Sequence, residues 1–201
     1  MGQASRKRVR AKPEDRRAQI LQEAIRLLGE RGYFAFSVEE LARRCQMSAP
    51  GLLHYFRGKD ALLTAVLAER FQTNAAAILI ATGVSEPQPG SGMLPLATVR
   101  KVLRAIVEQS SEHPEFVRLL TVLRVEAINP EHPAHAFFRA FDTRALAAYT
   151  QMLELHVEEP EATARSISAL MQGLEAQWLL SGDFDLVAAW DVAVQRLLPE
   201  S

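Results

Sequence analysis

Apolar residues recur along this chain at intervals of three and four, and no segment alternates apolar and polar residues for long enough to make a strand. A repeat of that period paints one stripe on an α-helix, so the pattern predicts an all-α protein. The first stripe is Ile20, Ala24, Leu27 and Leu28. Pro13, Glu14 and Asp15 suit its first turn, where a missing N–H costs nothing and negative charge meets the helix dipole. Gly32 suits its left-handed end. A helix over about 14–31 is expected, followed by Tyr33, Phe34 and Phe36 as aromatic plugs of a small core.

The stretch Ser37–Phe56 reads as two short helices around a tight turn. Ser37 stands three residues before Glu40, the spacing of a capping box. Leu41 and Cys45 face inward four residues apart, with small Ala42 beside them where a second helix must come close. After Gln46 and Met47, Ser48 is a second N-cap, and Pro50 falls in a first turn whose amides have no intrahelical partner. Leu52 and Tyr55 turn inward, which leaves Gly51, Leu53 and His54 outward. A short helix presenting a small residue, an apolar one and an imidazole gains little as a solvated face; as a surface entering a DNA groove it makes sense. The bland alternative is an ordinary helical hairpin.

Later helices follow by the same signs. One begins at Lys59 or Asp60 and runs to about 81, with Leu63, Val66, Leu67, Phe71 and Ile78 along it. The composition GVSEPQPGSG makes 83–92 a loop. Leu96, Val99, Val102, Leu103, Ile106 and Val107 mark a helix ending near 110. Pro114 opens another that stops at Asn129 and Pro130, and Pro133 opens a seventh. An eighth runs from Pro160 to about 180, and a ninth, capped by Asp183 or Asp185, ends near 198. The expected division is a disordered basic arm at 1–12, a helix-turn-helix domain at 13–58 with its motif at 37–56, a connecting helix at 59–82, and a ligand-binding and dimerisation bundle at 83–201.

Composition changes this picture in one respect. The net charge of −1 over 201 residues hides an asymmetry. Up to Arg70 there are fourteen Lys and Arg against eight Asp and Glu, net +6; beyond it there are nine against sixteen, net −7. A polyanion partner for the first half alone fits, and a solvated charged face is the alternative. The arm's Arg6, Lys7, Arg8 and Arg10 are suited to phosphates or an adjacent minor groove. One cysteine, Cys45, no apolar signal segment at the amino end and no membrane-length apolar run predict a cytoplasmic protein with Cys45 in the core.

The sequence carries no Gly-rich phosphate loop, nucleophile elbow or metal cluster. His132 and His135 lack a third ligand at metal-binding spacing and read as loop and helix-start residues. No catalytic residue, metal or cofactor is therefore assigned.

Gly32-Tyr33, Ser37-Val-Glu-Glu-Leu-Ala42, Met47-Ser48, Leu52 to Phe56, and Lys59-Asp60-Ala-Leu62-Leu63 together resemble the DNA-binding domain of the TetR family of bacterial transcriptional regulators. The resemblance covers about 14–70; the rest is similar in helical layout. The chain departs from the family's usual residues at Gln46, where Gly is common, at Gly51, often Thr or Ser, and at Leu53, often Tyr. Base readout by Gly51, Leu53 and His54, with Ala49 and Pro50 beside them, would rest on close backbone approach, the imidazole and contact with a thymine methyl. The resemblance assigns phosphate contacts to Ser37, Ser48, Tyr55 and Lys59, alongside Arg6 and Arg8 of the arm.

It also implies an effector pocket in the later helices. Candidate apolar lining residues are Phe71, Leu103, Leu120, Phe137, Phe138, Phe141, Met152, Met171 and Trp178, with Arg124, Glu126, Gln172 and Glu175 as polar anchors, which suits an aromatic or lipophilic small effector. Ile167, Leu170, Leu174 and Trp178 of the eighth helix and Leu186, Trp190, Val194 and Leu197 of the ninth give more apolar circumference than a one-sided helix needs. These helices are the expected homodimer interface, and the segment GLEAQWLL from Gly173 to Leu180 resembles the family's dimerisation helix. Two copies would present their reading helices to a roughly palindromic operator on double-stranded DNA. The expected protein is a repressor released by its effector, with a TetR-like activator as one alternative. A helical small-molecule-binding or catalytic protein with an incidental basic amino-terminal region is the other.

Overall fold

A computed structural model describes residues 12–84 and 94–199. Arg6 and Arg8, and with them the basic arm, lie outside the described residues, as does most of the loop expected at 83–92. The described residues fold into nine α-helices: α1 (Pro13–Ala35), α2 (Val38–Arg44), α3 (Ala49–Tyr55), α4 (Lys59–Thr82), α5 (Leu96–Glu112), α6 (Pro114–Glu126), α7 (His135–Leu153), α8 (Pro160–Ser181) and α9 (Leu186–Val194).

Two hydrophobic cores organise them, and the boundary between the cores does not follow chain order. The first joins Ile20, Leu27 and Leu28 of α1 to Leu41, Leu52, Leu62 and Leu67, and also takes in Phe116, Leu119 and Leu123 of α6 and Phe138 of α7. Helix α6 is thus built into the amino-terminal domain. Gly29 makes this possible: a Cβ there would stand 3.2 Å from the Leu119 backbone nitrogen, so a side chain would push α1 and α6 apart. An isolated glycine inside a helical stripe, as Gly29 is in α1, is the sequence sign of such a packing reason. The second core gathers Val99 and Leu103 of α5, Leu153 of α7, Ile167 and Met171 of α8, and Leu186, Trp190 and Val194 of α9.

That second core corrects four interface assignments. Ile167, Leu186, Trp190 and Val194 are between 0% and 8% exposed in a single chain, so they have no surface left for a partner. Burial of each such side chain contributes about 1.5–3 kcal/mol to the fold itself. Leu170, Leu174, Trp178 and Leu197 are half-buried against the same core. The ninth helix stops at Val194, not near 198. Its last residues turn inward, which buries Leu198 and leaves its carbonyl to the Arg100 guanidinium.

The first helix breaks where the glycine predicted it. Gly32 has φ +73° and ψ 175°, a conformation that belongs to glycine, and the chain makes one more turn to Ala35.

Candidate nucleic-acid interface

The turn between α2 and α3 is closed by two backbone bonds: Met47 N–H to the Ala42 carbonyl at 2.9 Å and Gln46 N–H to the Arg43 carbonyl at 3.0 Å. This is the Schellman arrangement, with the left-handed position taken by Gln46 at φ 54°. Small Ala42, 2% exposed, lets Met47 close over it. Each helix start is capped by serine, with Ser37 Oγ accepting from Glu40 N–H at 3.1 Å and Ser48 Oγ from Gly51 N–H at 3.2 Å. The capping box is half built, because the Glu40 carboxylate reaches Arg44 at 3.4 Å instead of returning to Ser37. Both serine hydroxyls keep an O–H to donate, which is what a phosphate oxygen accepts.

Leu52 anchors α3 in the core, and Cys45 beside it is fully buried, with burial pushing its thiol up. Pro50, Leu53 and His54 are exposed, Leu53 by 43%, while Ala49, Gly51 and Tyr55 are half-buried. His54 meets the Tyr55 ring edge-on at 6.0 Å. Leu53 and His54 therefore share an exposed face with Pro50, and Gly51, expected outward, lies half-buried.

Lys59 is different. Its ammonium stands over the rings of Tyr33 at 4.4 Å and Phe36 at 5.3 Å, within 3.4 Å of the Phe34 carbonyl, and burial pulls it below the usual lysine range. It works as a tether between α4 and the end of α1. Several other cations of the basic half are also engaged: Arg17 with Glu69 at 2.5 Å, Arg26 with Glu23 at 2.7 Å and Arg44 with Glu30 at 2.6 Å. Arg43, not singled out from sequence, keeps 78% of its side chain exposed next to the turn, with Glu40 at 3.9 Å.

Residues 20–66, which contain this unit, match the family model for "Bacterial regulatory proteins, tetR family". Residues 20–66 are thus a TetR-family amino-terminal segment. The chain is 31% identical over 101 residues to an uncharacterised HTH-type transcriptional regulator, YuxN, of Bacillus subtilis; the match takes in 50% of this chain and 32% of that protein, so the chain spans about a third of that relative's length. A second uncharacterised HTH-type regulator, from the dhlA 5′ region of Xanthobacter autotrophicus, is 25% identical over 151 residues, 75% of this chain and 68% of that one. Among solved structures, a TetR-like regulator from Rhodococcus sp. RHA1 superposes with a TM-score of 0.74 at 19% identity, covering 94% of this chain and 96% of the other. AibR, solved with isovaleryl coenzyme A and operator DNA, superposes with a TM-score of 0.72 at 20% identity, covering 92% and 100%. The TetR fold thus extends over both cores.

The residues proposed to line an effector pocket divide between the two cores, with Phe71 and Phe137 packed against the first. Phe71, Phe137 and Phe141 form one aromatic cluster, with Phe71 centred 4.4 Å from Phe141 and 5.4 Å from Phe137. Phe138 and Leu120 belong to the first core, and Leu103, Met152, Met171 and Trp178 to the second. Of the polar anchors, Arg124 is held by Asp142 at 2.6 Å and lies over Phe138, and Glu126 accepts the Tyr33 N–H at 2.7 Å. Gln172 is exposed to solvent. Glu175 alone keeps an inward position: it accepts the Ser110 hydroxyl at 2.6 Å, burial raises its pKa, and its charge helps burial to push the Tyr149 phenol up to about 12.

His132 and His135 are backbone braces. Nδ1 of His132 accepts the Ala134 N–H at 3.1 Å, and His135 Nδ1 is 2.8 Å from the Ala127 carbonyl.

Proposed function

We propose that the protein is a homodimeric regulator that binds a roughly palindromic operator through α3 and its mate, and that represses until a small apolar effector releases it. The observation that carries this reading is the exposed face of Pro50, Leu53 and His54, with Gly51 half-buried beside it, held by two serine caps and a closed turn. Such a face is poor in hydrogen-bonding groups. Affinity then rests largely on phosphate contacts from Ser37, Ser48, Tyr55, Arg43 and the arm, and selectivity on shape and half-site spacing.

Duplication of the reading unit is supported by α8 and α9 in a revised way. Leu180 is 91% exposed and Val192 66%, and Ala169, Gly173 and Ala176 leave a stripe of small residues on the outer side of α8. Helices can approach closely along such a stripe, so a second copy of α8 is the proposed occupant, with the buried Trp190 and Ile167 stiffening the face from behind.

Effector release is supported by continuity between the domains. Helix α6 is part of the amino-terminal core, so any displacement of α6 or α4 in the bundle moves the reading heads. AibR, whose fold this chain shares, was solved with an acyl coenzyme A and operator DNA, which favours a lipophilic acyl or aryl effector here. The effector must prefer the arrangement that does not bind DNA, and DNA must weaken effector binding by the same factor.

The test is a mobility-shift titration on random duplex and on fragments selected from the source genome, at several salt concentrations. The logarithm of the affinity should fall with that of the salt concentration by about 0.9 per phosphate neutralised. Absence of DNA binding at low salt would favour a helical small-molecule-binding protein instead. A reporter whose expression falls without the protein would favour an activator.

A further inference from the structure

Arg70 and Asn74 lie one turn apart on α4 and share an unusual state. Nε and Nη2 of Arg70 and Oδ1 of Asn74 are buried, and none has a hydrogen-bond partner. The guanidinium stacks over Phe116 at 5.2 Å, with burial pulling it below the ordinary arginine value and Glu115 acting only from a distance. Buried polar atoms are nearly always paired, so orphaned ones point to a missing partner. Here two N–H donors of a cation face the same way, which is the fork that grips a carboxylate.

The surroundings supply the rest of a binding site. Phe71 follows Arg70 directly and meets Phe116 at 5.6 Å, Phe137 at 5.4 Å and Phe141 at 4.4 Å. Phe71, Phe137 and Phe141 are all half-buried, so these rings still have surface to cover. The Phe71 ring of α4 meets the Phe137 and Phe141 rings of α7, so aromatic side chains join the two helices here. Asn74 can turn its amide to present NH2 to an oxygen.

We propose that the effector carries a carboxylate held by Arg70, with Asn74 beside it, and an apolar body lying on Phe71, Phe137 and Phe141. This rests on the effector-released reading above and names the chemistry of its ligand. Because Arg70 is on α4, whose first residue Lys59 is tethered to Tyr33 and Phe36, a ligand seated there acts on the helix that carries the reading head.

The test is calorimetric titration of the full chain, without DNA, with octanoate and 4-phenylbutyrate and with their neutral amides. The carboxylates are expected to bind saturably and the amides about 10- to 100-fold more weakly, the range of a charge-assisted pair. R70Q should erase that preference while R70K keeps part of it, and circular dichroism of each variant checks the fold. The proposal is overturned if amides bind as well as carboxylates, if R70Q leaves the preference intact, or if neither carboxylate saturates. Adding operator DNA separates the two readings: carboxylate binding that leaves DNA affinity unchanged sinks release but keeps the site, and release by neutral compounds alone does the reverse.

Discussion

The Tyr33 backbone N–H donates to the Glu126 carboxylate at 2.7 Å and so ties the kink in α1 to the last turn of α6. The amide is free because Gly32 interrupts the helix, and Gly32 is also what lets Glu126 approach: a Cβ there would lie 2.8 Å from its Cδ. His132 completes the junction, packed edge-on against Tyr33 at 5.0 Å and Phe34 at 5.3 Å, with Nε2 3.5 Å from the same carboxylate. The Tyr33 hydroxyl is bonded to Asp60 at the start of α4. One residue therefore touches α6 with its backbone and α4 with its side chain.

Replacing Gly32 with Ala should destabilise the protein by about 2–4 kcal/mol, from a backbone conformation that L-residues avoid and a disrupted charge-assisted bond. Urea unfolding measures it. E126Q keeps the shape and should cost less, about 1 kcal/mol. A loss below that for G32A would mean that α1 relaxes without strain.

Gln46 holds a left-handed conformation that the turn requires. Gln46→Gly should raise stability by about 0.5–1 kcal/mol, since relief of the conformational cost exceeds the added freedom of the unfolded chain. Thermal unfolding of the two proteins decides it, and an unchanged or lower midpoint would show the Gln46 side chain compensating its own strain.

The roles at the DNA face separate by residue. His54→Ala should relax base preference at one position per half-site, by about 1–3 kcal/mol of discrimination. Arg43→Ala should weaken cognate and random DNA alike and lower the salt slope by about 1. Lys59→Ala, by contrast, should lose stability first, by roughly 1 kcal/mol, because its ammonium lies against the Tyr33 and Phe36 rings. Binding measured across a salt series on both DNAs tests this, and a Lys59→Ala protein of full stability with uniformly weak binding would return that lysine to the phosphates.

How far the sequence carried depends on how local each signal is. Ser37, Ser48, Gly32 and the inward Leu41, Cys45 and Leu52 act within a few residues of themselves, and each was legible. Trp190 and Ile167 were not, because an apolar stripe looks the same whether its own chain or a copy covers it. Arg70 was missed for the opposite reason. A cation next to Glu69 reads as part of a solvated face, and only the Phe116 ring of α6 laid against it shows that its nitrogens are buried and unpaired. Arg124 looked the better anchor from sequence, yet Asp142, eighteen residues away, occupies it.

Glu175 makes stability depend on pH in a direction unusual for a carboxylate. Burial is the largest influence and raises its pKa, while the Ser110 hydroxyl and the Arg124 charge oppose it. A carboxyl with a higher pKa folded than unfolded holds more protons in the folded state. Its influence on stability is therefore most favourable below the unfolded value and declines as pH rises through the folded one. Glu175→Gln presents a neutral group of the same shape at every pH, and its amide can still accept from Ser110. The variant should be more stable than the parent at about pH 8 and closer to it at about pH 5, because only the parent must ionise a buried group. Paired urea titrations at the two pH values isolate this from every other titrating side chain, since those are common to both proteins. An equal difference at both pH values would mean that Glu175 ionises without penalty, and that the space around it already holds water.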